Sequence, residues 1–246
     1  MIDFNVEINK IREFLLNYSK QTHTDGYVLG ISGGLDSSVM FKILEPLPIK
    51  FIAIKMPIHS LQSDEFDADL LTKNSNREIL RIDLSDIYDE FIKVLPDTSN
   101  TLANTNLKPR LRMATLYQVA QTNNLLVCGA TNKSEYLTGY FTKHGDSGVD
   151  IMPLREYIKS EIYSMGELLG VPDAILKKPP SAGLFEGQTD EDEMGISYAE
   201  LDGYLSGEKI DEKQRQKIES MIEKTKHKRC VPIFYKREEM PAPQHL

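Results

Sequence analysis

The residues with the plainest chemical meaning are Ser32-Gly33-Gly34-Leu35-Asp36-Ser37-Ser38. They follow a short apolar run, Gly26-Tyr27-Val28-Leu29-Gly30-Ile31, and precede a stretch of helical periodicity that lasts to Leu44. A strand that turns on two glycines into a helix is suited to holding phosphate. Glycine lets the backbone bring its N–H groups close to an anion, and the helix start adds open amides and the positive end of its dipole. Ser32, Ser37 and Ser38 add hydroxyl donors. Asp36 would repel phosphate unless a metal lay between them, so its natural role is that of a magnesium ligand. The P-loop pattern needs a lysine that this turn lacks, and the spaced glycines of a dinucleotide loop do not occur here.

The elements that must position this loop follow from apolar spacing. Phe4, Ile8, Ile11 and Leu15 mark a first helix to about Lys20. The strand 26–31 leads to a helix from Asp36 to Leu44, stopped by Pro46 and Pro48. A second strand, Ile49 to Met56, is closed by Pro57; a helix over 62–75, a strand from Glu78 to Asp83 and a helix over 85–94 come next. A longer helix over 105–122 and a strand from Leu125 to Gly129 complete the alternation. This order predicts an α/β fold, a parallel β-sheet with helices on both faces. Such sheets bind ligands beyond the carboxyl ends of their strands, which is where the glycine loop falls. Thr138 to Pro153 reads as a polar loop and 158–169 as a helix. Lys177 to Gly195 has two prolines, three glycines and five acidic residues, which predicts a mobile surface loop. Two C-terminal helices, 197–205 and 211–225, precede a Pro-rich tail.

At 246 residues, with 40% hydrophobic and 27% charged, the chain suits one soluble domain over 1–246. A net charge of −8 argues against nucleic-acid binding, which needs clustered Lys and Arg. The basic run Lys226-His227-Lys228-Arg229 suits a small anionic ligand better than a polymer. The N-terminus has no signal-peptide pattern and no apolar stretch reaches membrane-span length, so the expected location is cytoplasmic, with no membrane partner. Cys128, inside an apolar run, reads as a buried inert thiol, and neither cysteine has metal spacing.

The seven-residue loop resembles the signature of the N-type ATP pyrophosphatases, which cleave ATP between its α- and β-phosphates. The loop alone leaves several readings open: an NAD synthetase, a GMP-synthetase-like or tRNA-modifying member, or a non-catalytic nucleotide-binding module. Downstream segments choose among them. Asn106-Leu107-Lys108-Pro109-Arg110-Leu111-Arg112-Met113 with Tyr117, Gly129-Ala130-Thr131-Asn132-Lys133-Ser134-Glu135, Phe141-Thr142-Lys143-His144-Gly145-Asp146 continuing to Asp150, and Lys226 to Arg229 all resemble NAD synthetase segments. They occur in the same order over nearly the whole chain.

The resemblance implies an adenine nucleotide α-hydrolase-like fold and an ammonia-dependent ligase, a homodimer with helix 105–122 near the dinucleotide site. ATP would be held by Gly30, Ile31, Ser32, Gly33, Gly34, Leu35, Asp36 and Ser37, with Ala130, Lys159 and Ser181, and Mg2+ by Asp36 and Glu135. Deamido-NAD would meet Arg110, Lys143, Asp150, His227 and Lys228, and Asp146 would position or deprotonate ammonium. The substrate carboxylate would be adenylated and then attacked by ammonia, releasing AMP and pyrophosphate. Segment 181–195 is the expected lid against hydrolysis of the adenylate. The synthetase segments occupy the chain and neither cysteine has a nucleophile's setting, so no glutaminase domain is expected. Two positions depart from the pattern: Ala130 where Thr is frequent, and Ser147 where Gly usually follows the aspartate.

Overall fold

In β1 (Gly26–Ile31), Tyr27, Leu29 and Ile31 enter one apolar core while Val28 enters another. β2 (Lys50–Lys55) repeats the division, with Phe51 and Ala53 on the first face and Ile52 and Ile54 on the second. Strands that are apolar on both faces need cover on both, the usual condition of a parallel sheet. β3 (Glu78–Arg81) and β4 (Leu125–Cys128) complete it in the order β3-β2-β1-β4, with all pairings parallel. Ile151 adds one further bridge beside Cys128. The computed structural model describes residues 2–180 and 189–235.

On the first face, α1 (Phe4–Gln21), α2 (Leu35–Leu44) and α3 (Gln62–Thr72) bury Ile8, Ile11, Leu15, Val39, Ala68 and Leu71. The second face is covered around α4 (Ser85–Val94), α5 (Thr101–Thr105) and α6 (Leu107–Thr122), where Val119 and Ala120 are buried and Tyr88 packs against the core. α7 (Lys133–Thr138) follows β4, and α8 (Lys159–Leu168) returns to the first face through Ile162 and Met165. After α9 (Asp173–Leu176), a third core of Met194, Ile196, Tyr198, Leu201 and Ile218 joins α10 (Asp190–Met194), α11 (Tyr198–Leu205) and α12 (Glu212–Lys224). A 3-10 turn, Lys226–Lys228, ends the order.

The expected alternation is present, with three differences. The predicted helix over 105–122 is present as α6, and the unpredicted short helix α5 precedes it, with Asn106 capping α5 and opening α6. α7 and α9 lie in stretches for which the sequence predicts no element. α7 forms because the Asn132 side chain accepts the Glu135 N–H and Gly139 closes the helix at φ +68. The third difference is a correction: the stretch predicted as an acidic surface loop contains α10. Thr189 caps it by accepting the Asp192 N–H, Gly195 ends it at φ +60, and Met194 anchors it in the third core. Residues 181–188 of the expected lid lie outside the described residues. Both cysteines are free; Cys128 is buried, which pushes its thiol well above the usual range, and Cys230 is exposed. Among the described residues no helix is long and apolar enough to cross a membrane.

Candidate active site

The β1–α2 turn shapes itself. Gly33 has φ +83, and a Cβ there would lie 2.4 Å from the Asp64 carbonyl oxygen, so only glycine fits. Gly34 is the N-cap of α2 and supplies no side-chain bond, which leaves the helix start open to an anion. The serine hydroxyls are spent on the turn: Ser37 and Ser38 donate to the Gly34 carbonyl at 3.0 and 2.8 Å, and Ser32 Oγ accepts from the Gly34 N–H at 3.2 Å. A cavity of about 930 Å³ opens over this turn. Its wall includes Gly30, Ile31, Ser32, Gly34, Leu35, Asp36, Ser37, Ala130 and Lys159 from the expected ATP set. Gly33 lies behind that wall as its hinge, and Ser181 lies outside the described residues.

Lys159 is the centre of the polar wall. Its ammonium donates to Asp36 Oδ2 at 2.5 Å and to Glu135 Oε1 at 3.1 Å, and its side chain is only 3% exposed. Burial disfavours its charge, but Asp36 and Glu135 outweigh that and hold the ammonium above its ordinary pKa. Glu135 is pushed above the carboxylate range by burial and by the neighbouring Asp36. Two side chains absent from the expected set aim this group. Asn132 donates to Asp36 Oδ1 at 2.8 Å while its own oxygen caps α7, so one amide orients both acidic residues. Asp202 accepts the Ser160 N–H at 2.7 Å and the Ser134 hydroxyl at 2.7 Å, fixing the start of α8 and with it Lys159. Asp190, read in the sequence as one of five loop acids, is buried beside them and bonded to the Tyr198 hydroxyl at 3.0 Å.

Asp146 lines the same cavity. Its carboxylate accepts the Thr142 N–H at 2.8 Å. The side chain reaches solvent at the cavity wall, yet the protein around it desolvates the carboxyl and pushes its pKa up to about 6, against the pull of the Thr142 N–H, Lys228 and Arg112. Arg112 lines the cavity too and donates Nε to the Met56 carbonyl at 2.9 Å. The departure at Ser147 has a structural use: its hydroxyl donates to the Thr142 carbonyl at 3.1 Å and tightens the loop.

The expected dinucleotide residues divide. Lys228 lines the cavity and donates to the carbonyls of Gly139 and Phe141, both at 2.7 Å, with its ammonium 5.3 Å from the Phe141 ring centre. Lys143 donates to the His227 carbonyl at 2.9 Å, and Arg110 makes a long 3.4 Å bond to the Lys143 carbonyl. These three residues link α6, the 142–150 loop and the C-terminal turn outside the cavity wall. Asp150 is occupied elsewhere, accepting the Val127 N–H at 2.7 Å and the Tyr117 hydroxyl at 3.1 Å.

The family model described as NAD synthase matches residues 7–232. The chain belongs to the NAD synthase family. An NH(3)-dependent NAD(+) synthetase of Finegoldia magna is 46% identical over 205 residues, covering 83% of this chain and 85% of that one. One from Malacoplasma penetrans is 41% identical, covering 91% and 93%. Among solved structures, an NMN synthetase of Francisella tularensis superposes with a TM-score of 0.93 at 34% identity, covering 96% and 99%. The NH3-dependent NAD synthetase of Campylobacter jejuni, in complex with nitrate, gives 0.80 at 28% identity, covering 96% and 100%. NAD synthase membership sets aside the other readings that the glycine loop left open.

Proposed function

We propose that this ligase joins ammonia to the nicotinate carboxylate of deamido-NAD, using ATP and releasing AMP and pyrophosphate. The observation that carries this reading is one cavity with two kinds of wall: an uncapped helix start beside Asp36, Lys159 and Glu135, and a separate carboxyl at the cavity wall, Asp146.

The chemistry follows from the weakness of the starting electrophile. A carboxylate repels nucleophiles and has no leaving group, so its oxygen attacks the α-phosphorus of ATP and the P–O bond to pyrophosphate breaks. The α2 amides and the Lys159 ammonium face the charge that accumulates on the departing pyrophosphate. Asp36 and Glu135 would hold Mg2+. The donor set suits it: hard carboxylate oxygens, two of them already on a shared cation, and a neighbouring buried carboxyl oxygen on Asp190 without a hydrogen-bond partner among the described residues. Bound there, the ion supplies charge neutralisation for the phosphates. Among the described residues no three His, Cys, Asp or Glu side chains already form a metal cage, so the remaining ligands would come from ATP and water.

Ammonia then attacks the activated carbonyl carbon and the bond to AMP breaks. Only neutral ammonia is nucleophilic, and ammonium dominates near neutral pH. In this reading Asp146 takes that proton, a role that its pKa of about 6 supports. A homodimer is part of the same proposal: α4 exposes Ile87, Phe91 and Val94, and Leu102 is exposed nearby in sequence on α5, an apolar surface suited to a second copy. A monomer by light scattering at micromolar concentration would remove that element.

The amide acceptor has a second reading, favoured by the TM-score of 0.93 to the Francisella structure named NMN synthetase. Nicotinate mononucleotide carries the same carboxylate as deamido-NAD and lacks only the adenylyl half. Purified protein with ATP, magnesium and ammonium should release pyrophosphate when either acid is added, and the ratio of kcat/KM assigns the substrate. No pyrophosphate release with either would overturn the reading. Glutamine as sole nitrogen source should give almost no product.

A further inference from the structure

Asp190 is 4% exposed and lines the cavity. Its Oδ2 accepts from Tyr198, whose hydroxyl also lies 3.4 Å from Glu135 Oε1; the Tyr140 hydroxyl is close to the same carboxylate but donates to Glu193, which leaves Asp190 Oδ1 buried without a well-formed hydrogen bond among the described residues. A buried carboxylate oxygen without a donor costs free energy that native structures seldom tolerate unless something else meets it. The surroundings say what that is. Asp36 and Glu135 share the Lys159 ammonium, and Asp190 lies near enough to feel its charge without pairing with it, so the locus is short of positive charge rather than of acceptors. The chain also ties this carboxylate to the expected lid, because the Asp190 N–H donates to the Pro180 carbonyl at 3.0 Å across the segment that separates them.

We propose that Asp190 is a third carboxylate of the cation locus, whose Oδ1 binds a divalent cation directly or through one of its waters. With an ion bound there, Lys159 would be able to turn from Asp36 and Glu135 toward the phosphates. The inference rests on the metal assignment of Asp36 and Glu135 made above but not on the identity of the amide acceptor.

Mn2+ titration of the substrate-free protein, followed by the electron paramagnetic resonance of the unbound ion, tests it without turnover. Asp190→Asn keeps the size and an acceptor for Tyr198 and removes the charge. It should weaken Mn2+ by about ten- to a hundredfold, the range for residues that support or complete a metal shell. Asp36→Asn should weaken it at least as much, and the surface change Asp173→Asn should leave it unchanged. Mn2+ affinity of Asp190→Asn within twofold of the parent would overturn the proposal while leaving the Asp36–Glu135 assignment standing. No loss in Asp36→Asn or in Glu135→Gln would instead overturn the metal assignment beneath it. Asp190→Ser carries the same test if the asparagine variant does not fold.

Discussion

The hydroxyl contacts that shape the β1–α2 turn span at most five residues, whereas the 141–150 segment is held by Asn106, Arg110 and Lys228, which lie 33 to 87 residues from the positions they meet. The glycine turn of one wall therefore takes its shape from local contacts, although Lys159 and Asn132 reach Asp36 from 123 and 96 residues away, whereas the other wall forms only when distant parts of the chain have met. Phosphate binding needs a fixed nest of amides, which a short turn can supply alone. The proposed recognition of the amide acceptor and of ammonia draws on side chains gathered from α6, the loop and the C-terminal turn. Perturbations should therefore separate the two half-reactions.

The largest separation is expected from Asp146→Asn. Ammonia-dependent amide formation should fall by about 10²- to 10⁴-fold, the usual contribution of a positioned base. Adenylate formation, read as pyrophosphate exchange into ATP, should persist; equal loss of both would erase the distinction between the walls. With the Asp146 pKa at about 6, the parent rate should decline as pH falls below that value, and the variant should lack this limb. The stability sign runs the other way. A carboxyl raised on folding favours the native state while protonated and loses that contribution as pH rises through about 6, so Asp146→Asn should melt higher than the parent at pH 8.

Lys228→Met should come next. Charged donors to two carbonyls are worth about 1.5–3 kcal/mol each, and their loss loosens the 139–141 backbone. KM for the nicotinate substrate should rise by roughly a hundredfold or more, in keeping with that energy, with KM for ATP unchanged. Gly33→Ala tests the opposite wall: a residue forced to φ +83 against the Asp64 carbonyl costs about 1–3 kcal/mol. It should raise KM for ATP and lower the melting temperature without altering the ammonia dependence. The smallest effect belongs to Ser147→Gly, which removes one hydrogen bond of about 1 kcal/mol. A slightly lower melting temperature with kcat preserved is expected; a large fall in kcat would give the serine a direct role.

The same contrast explains what could be read from the sequence. The sheet was legible because both faces of β1 and β2 are apolar and the glycine turn follows directly. Asp36 stood out through its neighbours in the loop. Glu135 and Asp146 were reached by resemblance, since nothing in their local spacing marks them. Asn132 carried a readable signal, a capping side chain three residues before Glu135, but its second bond to Asp36 is tertiary. Asp190 was masked by its surroundings: four consecutive acids suggest a solvated run, and only Met194 in the third core shows that the helix turns one of them inward. Lys159 sits at the start of a predicted helix, yet its burial depends on Asp202 from α11.

The unequal cysteines have a practical outcome. Cys128 is enclosed at the end of β4, while Cys230 is exposed two positions beyond Lys228, and the chain contains no tryptophan. A thiol-directed fluorophore would therefore attach at a single position, on the turn that borders the nicotinate side, against no indole background. Ligand occupancy of that wall becomes an optical signal that the phosphate wall does not share.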